Sequence, residues 1–145
     1  MQGDSALTLK YLLDTNILSE PTKKQPNPQV VQKLLEHHDQ IATAAQVFHE
    51  LSTGLERMPE SARKRKVSQF LETFVRPTIP ILPYNETAAN CHAKQAIQQP
   101  KGITLPFVDT QIASIAEANG LILVTRNIND FKYLRGVELE DWFVS

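Results

Sequence analysis

Five oxygen-bearing side chains lie where this sequence could do chemistry, and each follows or borders an apolar stretch. They are Asp14, Glu50, Asp109, Asn127 and Asp130. Carboxylate and amide oxygens, without a cysteine or a pair of histidines among them, favour a hard divalent cation such as Mg²⁺ or Mn²⁺ over zinc. Such a cation lowers the pKa of a bound water molecule and offsets negative charge on a phosphoryl oxygen. The residue types therefore predict hydrolysis of a phosphodiester.

Asp14 is the strongest candidate because of the run that precedes it. Residues 9–13 have the length and apolar character of a buried strand, and the carboxylate comes where that strand stops. In an open parallel sheet the ligand crevice lies beyond the carboxyl ends of the strands, so Asn127, which follows the apolar run 121–124, belongs at the same rim. Two carboxylates about 5 Å apart repel by roughly 3 kcal/mol at an effective dielectric constant near ~20. A cluster of acids there needs a cation or shared protons.

Each acid also has a purely structural interpretation. Asp14 can cap a helix that begins at Thr15 or Asn16. Asp109 lies in the first turn of a predicted helix, where a carboxylate gains about 0.3–1 kcal/mol from the helix dipole. Glu50 is next to an apolar helical stripe and can equally be an ordinary exposed glutamate.

The order of apolar patterns predicts an α/β protein, a three-layer α/β/α sandwich with a mainly parallel central sheet. Pro80 favours an edge or strand-start position for the third strand. Strands are predicted at residues 9–13, 41–43, 79–82, 121–124 and 137–139, and helices at 15–20, 28–38, 44–58, 61–74, 85–99 and 107–119. Among the helical side chains predicted to face inward are Leu35, Phe74 and Ile97.

Length and composition limit the class of protein. The 145 residues fit one domain over 8–145, with residues 1–7 as a flexible lead-in. Cys91 is the single cysteine, which excludes an internal disulfide and a cysteine-rich zinc site. No stretch approaches the ~20 apolar residues of a membrane span, and the first residues lack a signal-peptide pattern. We expect a cytoplasmic protein.

The charge balance excludes a globally basic protein. Lys and Arg number 15 against 16 Asp and Glu, a net charge of −1. Contact with a nucleic acid must therefore come from a local patch. The run Arg63–Lys66 is either a solvated helical surface or a contributor to phosphate binding, and Lys23, Lys24 and Arg126 are further candidates.

Four segments in order resemble the motifs of PIN-domain ribonucleases, specifically the VapC toxins of bacterial toxin–antitoxin pairs. The resemblance extends from about residue 9 to 131. Its segments are LLDTNILSE at 12–20, Glu50-Leu51, LPFVDTQIA at 105–113, and VTRN at 124–127 followed by Asp130-Phe131.

The resemblance implies a PIN-like fold in which Asp14, Glu50 and Asp109 hold Mg²⁺ or Mn²⁺ and activate water to cut RNA, with transfer RNA or another structured RNA as the expected substrate. The fourth position of the family is often Asp, and this chain has Asn127 there. Its amide oxygen can bind metal or orient water, and Asp130 can supply the missing charge. The hydroxyls of Thr15 and Thr125 suit hydrogen bonds that orient the carboxylates.

The resemblance also implies partners. These are a VapB-type antitoxin, whose C-terminal segment would cover the groove beside the site, and a second copy of the chain. The expected assemblies are a homodimer and a toxin–antitoxin hetero-oligomer, without membrane attachment.

Two other classes of protein compete with this interpretation. A strand-ending Asp can accept a phosphoryl group, as in haloacid-dehalogenase-type phosphatases or response-regulator receivers. The first of these expects a second Asp at position 16, which is Asn, and the receivers expect an acidic pair and a late Lys that are not evident here. The other alternative is a non-catalytic PIN-like module that binds RNA or protein, and Asn127 is its only support.

Overall fold

The computed structural model describes residues 8–144 and contains a parallel sheet of five strands. The predicted lead-in, residues 1–7, lies outside the described residues. The strands pair in the order β3-β2-β1-β4-β5, with every pairing parallel. They are β1 (Tyr11–Leu13), β2 (Ile41–Ala44), β3 (Ile81–Leu82), β4 (Ile122–Val124) and β5 (Leu139–Glu140).

Side-chain hydrogen bonds cap the start of several α-helices. The Asn27 carboxamide accepts the N–H groups of Gln29 and Val30, and Ser61 and Asn85 each accept one N–H from the first turn that follows them. The helices are α1 (Thr15–Leu18), α2 (Pro28–Glu36), α3 (Ala45–Arg57), α4 (Ala62–Phe70), α5 (Glu86–Gln98) and α6 (Phe107–Ala118). Short 3₁₀ turns form at Glu20–Thr22 and Ile128–Phe131.

The strand order reverses at β1, and this reversal locates the site. The chain adds β2 and β3 on one side of β1 and then returns to add β4 and β5 on the other. Right-handed crossovers place the helices before and after such a reversal on opposite faces of the sheet. The predicted α/β/α sandwich is therefore confirmed. Ligand crevices form where neighbouring strands diverge in this way, here between the carboxyl ends of β1 and β4.

The core fixes these strand ends in place. All three residues of β1 are buried, and Thr43 of β2 donates its hydroxyl to the Leu13 carbonyl at 2.8 Å. Trp142 is fully buried and packs edge-on against Tyr11, with 5.1 Å between the two ring centroids. No helix within residues 8–144 is long and apolar enough to span a membrane.

The fourth helical segment is longer than predicted. It does not stop at Phe74 but continues through a π-helical turn, Leu71–Val75, into a final α-turn at Arg76–Thr78. The π turn inserts one residue and so changes which side chains face the core. Val75 is buried, whereas Phe74 is only partly buried and packs its ring on Phe70.

Other boundaries also differ from the prediction. The first helix ends at Leu18, and Pro21 lies inside a 3₁₀ turn, where a missing N–H costs little. The last strand is Leu139–Glu140 instead of 137–139. Ile97 is 85% exposed and Leu35 is 67% exposed, so neither faces the core as predicted.

Candidate active site

One pocket of about 270 Å³ opens at the carboxyl ends of β1 and β4. This volume has room for several water molecules, at about 30 Å³ each. Its lining is almost entirely polar and includes all five side chains singled out from the sequence. The lining residues are Asp14, Thr15, Asn16, Glu50, Asp109, Asn127, Asp130 and Phe131.

Asp14 lies at the floor of this pocket and is only 8% exposed. One carboxylate oxygen, Oδ1, accepts the Thr15 backbone N–H at 2.8 Å, and Oδ2 accepts the Thr125 hydroxyl at 2.8 Å. Asp14 is thus the N-cap of α1, as its structural interpretation predicted, and it also lines the pocket. The remaining lone pairs of the carboxylate are available on the pocket side.

Thr125, at the end of β4, holds this carboxylate in place. The residue is fully buried, and its hydroxyl oxygen accepts the Asn127 backbone N–H at 3.1 Å while its proton goes to Asp14. The hydroxyl therefore both donates and accepts a hydrogen bond. It couples the loop after β4 to the end of β1, and the predicted orienting hydrogen bond is present.

Glu50 reaches the pocket from α3. The residue is exposed, as the structural interpretation predicted, but its Oε1 accepts the Thr15 hydroxyl at 3.0 Å and its side chain lines the pocket. The second predicted orienting hydrogen bond is thus also present. Thr15 donates its N–H to one carboxylate and its hydroxyl to another, and so relates the positions of the two acids.

Asp109 and Asp130 complete the acidic wall. Asp109 is partly buried in the first turn of α6, and Asp130 is exposed in the 3₁₀ turn after β4. Phe131, the next residue, is fully buried and anchors that turn in the core. The structure therefore brings residues from four separate segments to one cavity.

The pKa values of Asp14 and Asp109 are raised by burial and by the neighbouring acids. Burial is the largest cause of a raised pKa at Asp14, where the charges of Glu50 and Asp130 add to it against the hydrogen bonds from Thr15 and Thr125. Burial also comes first at Asp109, whose pKa is raised further by Asp14, Asp130 and Glu50. A cation in the pocket would remove this mutual repulsion.

Asn16 is a pocket residue for which the sequence predicted no role. Its side-chain Oδ1 accepts the Arg126 backbone N–H at 3.1 Å, which ties α1 to the loop that carries Asn127. A polar side chain two residues after Asp14, within the same helical turn, is the signal by which it could have been found.

The donor atoms of the pocket fit a hard divalent cation, because apart from Phe131 every lining side chain offers oxygen. Asp14, Glu50 and Asp109 are the residues that would hold it. Within residues 8–144, no three His, Cys, Asp or Glu side chains form a group that could hold a metal ion as they stand. The side chains are thus near one another without being drawn together to ligand distances.

The fold and the site together define an α/β protein with an acidic, oxygen-lined pocket where the strand order of its parallel sheet reverses. Sequence comparison identifies the family. The sequence profile of the PIN domain matches residues 11–136. The chain therefore belongs to the PIN-domain family.

Named relatives place it near two groups of bacterial proteins. The tRNA(fMet)-specific endonuclease VapC of Shigella flexneri is 33% identical over 139 residues, which cover 92% of this chain and 98% of the relative. Toxin FitB of Neisseria gonorrhoeae is 32% identical over 125 residues, which cover 83% of this chain and 89% of FitB.

A solved structure shares the fold. The crystal structure of DNA-bound VapBC from Salmonella typhimurium matches with a TM-score of 0.77 and 26% identity, over 92% of this chain and 98% of the compared chain. The recognition of the family from four short motifs is confirmed.

Proposed function

We propose that this protein is a metal-dependent endoribonuclease of the VapC toxin type, which cleaves RNA phosphodiesters and is neutralised by a cognate antitoxin. The observation that carries the proposal is the convergence of Asp14, Glu50, Asp109 and Asp130 on one pocket, with Thr125 and Thr15 holding two of the carboxylates by hydrogen bonds. Such a pocket repels a phosphate unless a cation is bound in it.

Each residue has a distinct role in this proposal. Asp14, Glu50 and Asp109 would hold Mg²⁺ or Mn²⁺, which when bound lowers the pKa of water and offsets charge on the phosphoryl oxygens. Thr125 keeps Asp14 oriented towards the pocket. Asp130 adds negative charge that acts on both Asp14 and Asp109. This supports Asp130 as the source of the charge that the neutral Asn127 lacks.

The substrate and partners follow from the family. One relative is named a tRNA-specific endonuclease, and a VapB-type antitoxin is the partner in VapBC assemblies. We infer that transfer RNA or another structured RNA is cut in the cytoplasm, that a VapB-type antitoxin blocks the pocket, and that the toxin forms a homodimer and a hetero-oligomer with the antitoxin.

The test is cleavage of a total small-RNA pool by purified, antitoxin-free protein in Mg²⁺, Mn²⁺ or EDTA, with Asp14→Asn beside the wild type. We expect discrete fragments that require both the metal and Asp14, and sequencing of their ends identifies the substrate. If folded protein cuts nothing in either metal, the ribonuclease assignment is wrong and a non-catalytic binding module becomes the better description.

A further inference from the structure

Two basic segments that are far apart in the sequence lie together in the fold. The first is Lys23-Lys24, directly after the 3₁₀ turn, and the second is the run Arg63–Lys66 in the first turns of α4. They contain six of the fifteen Lys and Arg residues of a chain whose net charge is −1. Their contact concentrates positive charge on one part of the surface.

Side-chain hydrogen bonds join the two segments. Arg63 donates from its guanidinium to the Thr22 carbonyl, and the Lys66 ammonium donates to the Lys23 carbonyl at 3.4 Å. Residues three apart share a helical face, so Arg63 and Lys66 both lean towards the 3₁₀ turn. Lys64 points elsewhere and pairs with Glu60 at 3.4 Å.

The charges of Arg63 and Lys66 are not neutralised by the surrounding protein. Both are exposed, and within residues 8–144 no carboxylate forms an ion pair with either of them. Lys23 is different, because its ammonium lies 2.9 Å from Glu20, yet its side chain remains 48% exposed. The carbonyl groups that accept from Arg63 and Lys66 hold the cations in position without cancelling their charge.

Arg126 relates this surface to the acidic pocket. Buried Glu20 binds Lys23 on one side, and the charge of Arg126 also acts on it. Arg126 in turn places its backbone N–H on the pocket residue Asn16 and its guanidinium 4.2 Å from the centre of the Phe143 ring. Arg126 therefore lies beside the pocket and within electrostatic range of the residue that pairs with Lys23.

We propose that a set of four residues, here called the basic strip, binds RNA phosphates that neighbour the phosphodiester that is cut. The strip consists of Lys23, Arg63, Lys66 and Arg126. This proposal rests on the proposed function and extends it to a second part of the surface. The acidic pocket contributes no attraction for RNA beyond what its cation supplies, and the protein as a whole has no positive field. Affinity for the polyanion must come from local cations, and the strip starts beside the pocket.

The test is the salt dependence of RNA binding in the double variant Arg63→Gln/Lys66→Gln. A short fluorescent single-stranded RNA is titrated in EDTA, which prevents cleavage, over a series of KCl concentrations. The plot of log K against log salt has a negative slope, and on a single strand each lost phosphate contact makes it less steep by about 0.7. The double variant should therefore have a slope less negative than wild type by about 1.4. The same relation gives about tenfold weaker binding at physiological salt.

The matched control is Lys94→Gln/Lys101→Gln, which removes the same charge from α5 and the turn that follows it, outside the strip. We expect binding close to wild type for this variant. Circular dichroism confirms that both double variants are folded. Equal loss in both, or no loss in Arg63→Gln/Lys66→Gln, overturns the proposal.

Two further measurements separate this inference from the proposed function. With metal and a substrate RNA, Arg63→Gln/Lys66→Gln should raise KM about tenfold and leave kcat nearly unchanged, because the strip does not touch the reacting atoms. If the wild type binds RNA through the strip but cuts none, the ribonuclease proposal fails and the strip stands. If the variant loses affinity for the antitoxin and none for RNA, the strip is a protein interface and the inference is wrong.

Discussion

The hydroxyl of Thr125 donates a 2.8 Å hydrogen bond to Oδ2 of Asp14, a residue 111 positions earlier in the chain. The two residues end neighbouring strands, β4 and β1, whose side-by-side position is created by the reversal in strand order. The bond is buried, and together with the bond from the Thr15 N–H to Oδ1 it fixes the orientation of the carboxylate. The orientation of the central carboxylate therefore depends on a residue that has no charge.

Thr125→Val should lower ribonuclease activity by about 10–100-fold, because loss of a group that orients a metal ligand costs that much in other enzymes. The change also leaves Oδ2 of Asp14 and the Asn127 N–H each without a partner, and we expect a loss of about 1–3 kcal/mol in the free energy of unfolding. Thr125→Ser keeps the hydroxyl and should retain most of the activity. Equal activity in the two variants would contradict the orienting role. Single-turnover cleavage and urea denaturation provide the measurements.

Asp14→Asn and Asp109→Asn should each reduce cleavage by more than ~100-fold without unfolding the protein, since each removes charge that holds the cation and leaves core packing intact. Asp39→Asn is a suitable control, because Asp39 is an exposed residue before β2, at the opposite end of the sheet. Cleavage assays and circular dichroism test the expectation. A fully active Asp14→Asn protein would refute the assignment of the site.

Mg²⁺ or Mn²⁺ should raise the melting temperature of the wild-type protein, because a ligand that binds only the folded state stabilises it by RT ln(1 + [L]/Kd). The double variant Asp14→Asn/Asp109→Asn should lose this shift. Differential scanning fluorimetry detects it without any RNA or any activity. An equal shift in the double variant would mean that the cation binds elsewhere.

In the metal-free protein, Asp14 and Asp109 should contribute less to stability as the pH rises. Burial, with help from neighbouring acids, raises the pKa values of Asp14 and Asp109 in the folded state. Their contribution to stability is therefore complete below the unfolded-state value of about 3.9 and is lost as the pH rises through the folded-state values.

The comparison with Asp14→Asn/Asp109→Asn isolates this contribution from that of other groups. Near pH 4 the two proteins should differ least, and by about pH 8 the variant should be the more stable. Urea midpoints in EDTA give the difference at each pH. A difference that does not grow with pH would show that burial does not disfavour the charged form of these carboxylates.

Asp130→Asn should weaken Mg²⁺ or Mn²⁺ binding more than Asn127→Ala does. Asp130 acts electrostatically on both Asp14 and Asp109, whereas the Asn127 contact recorded in the fold is made by its backbone N–H, which alanine retains. Isothermal titration calorimetry of the two variants measures this order. The reverse order would assign the fourth ligand position to the amide of Asn127.

Sequence alone was sufficient for the parts of the fold that depend on local interactions. The starts of the helices at Pro28 and Phe107 and the buried strand before Asp14 follow from neighbouring residues, whose types and periodicity are visible in the chain. Boundaries were wrong where a tertiary contact outweighed local preference. The π turn after Phe70 is the clearest case, because no local pattern there signals an inserted residue.

Sequence also singled out Asp14 and Asn127 as candidate site residues, because a polar residue placed where a parallel strand stops faces the rim of the sheet. The tertiary structure decided how those residues meet. The contacts of Thr125 with Asp14, of Thr15 with Glu50 and of Lys66 with Lys23 join residues 111, 35 and 43 positions apart. Such pairings arise from strand order and helix packing, whose energies are shared across the whole core and are not written in any one segment.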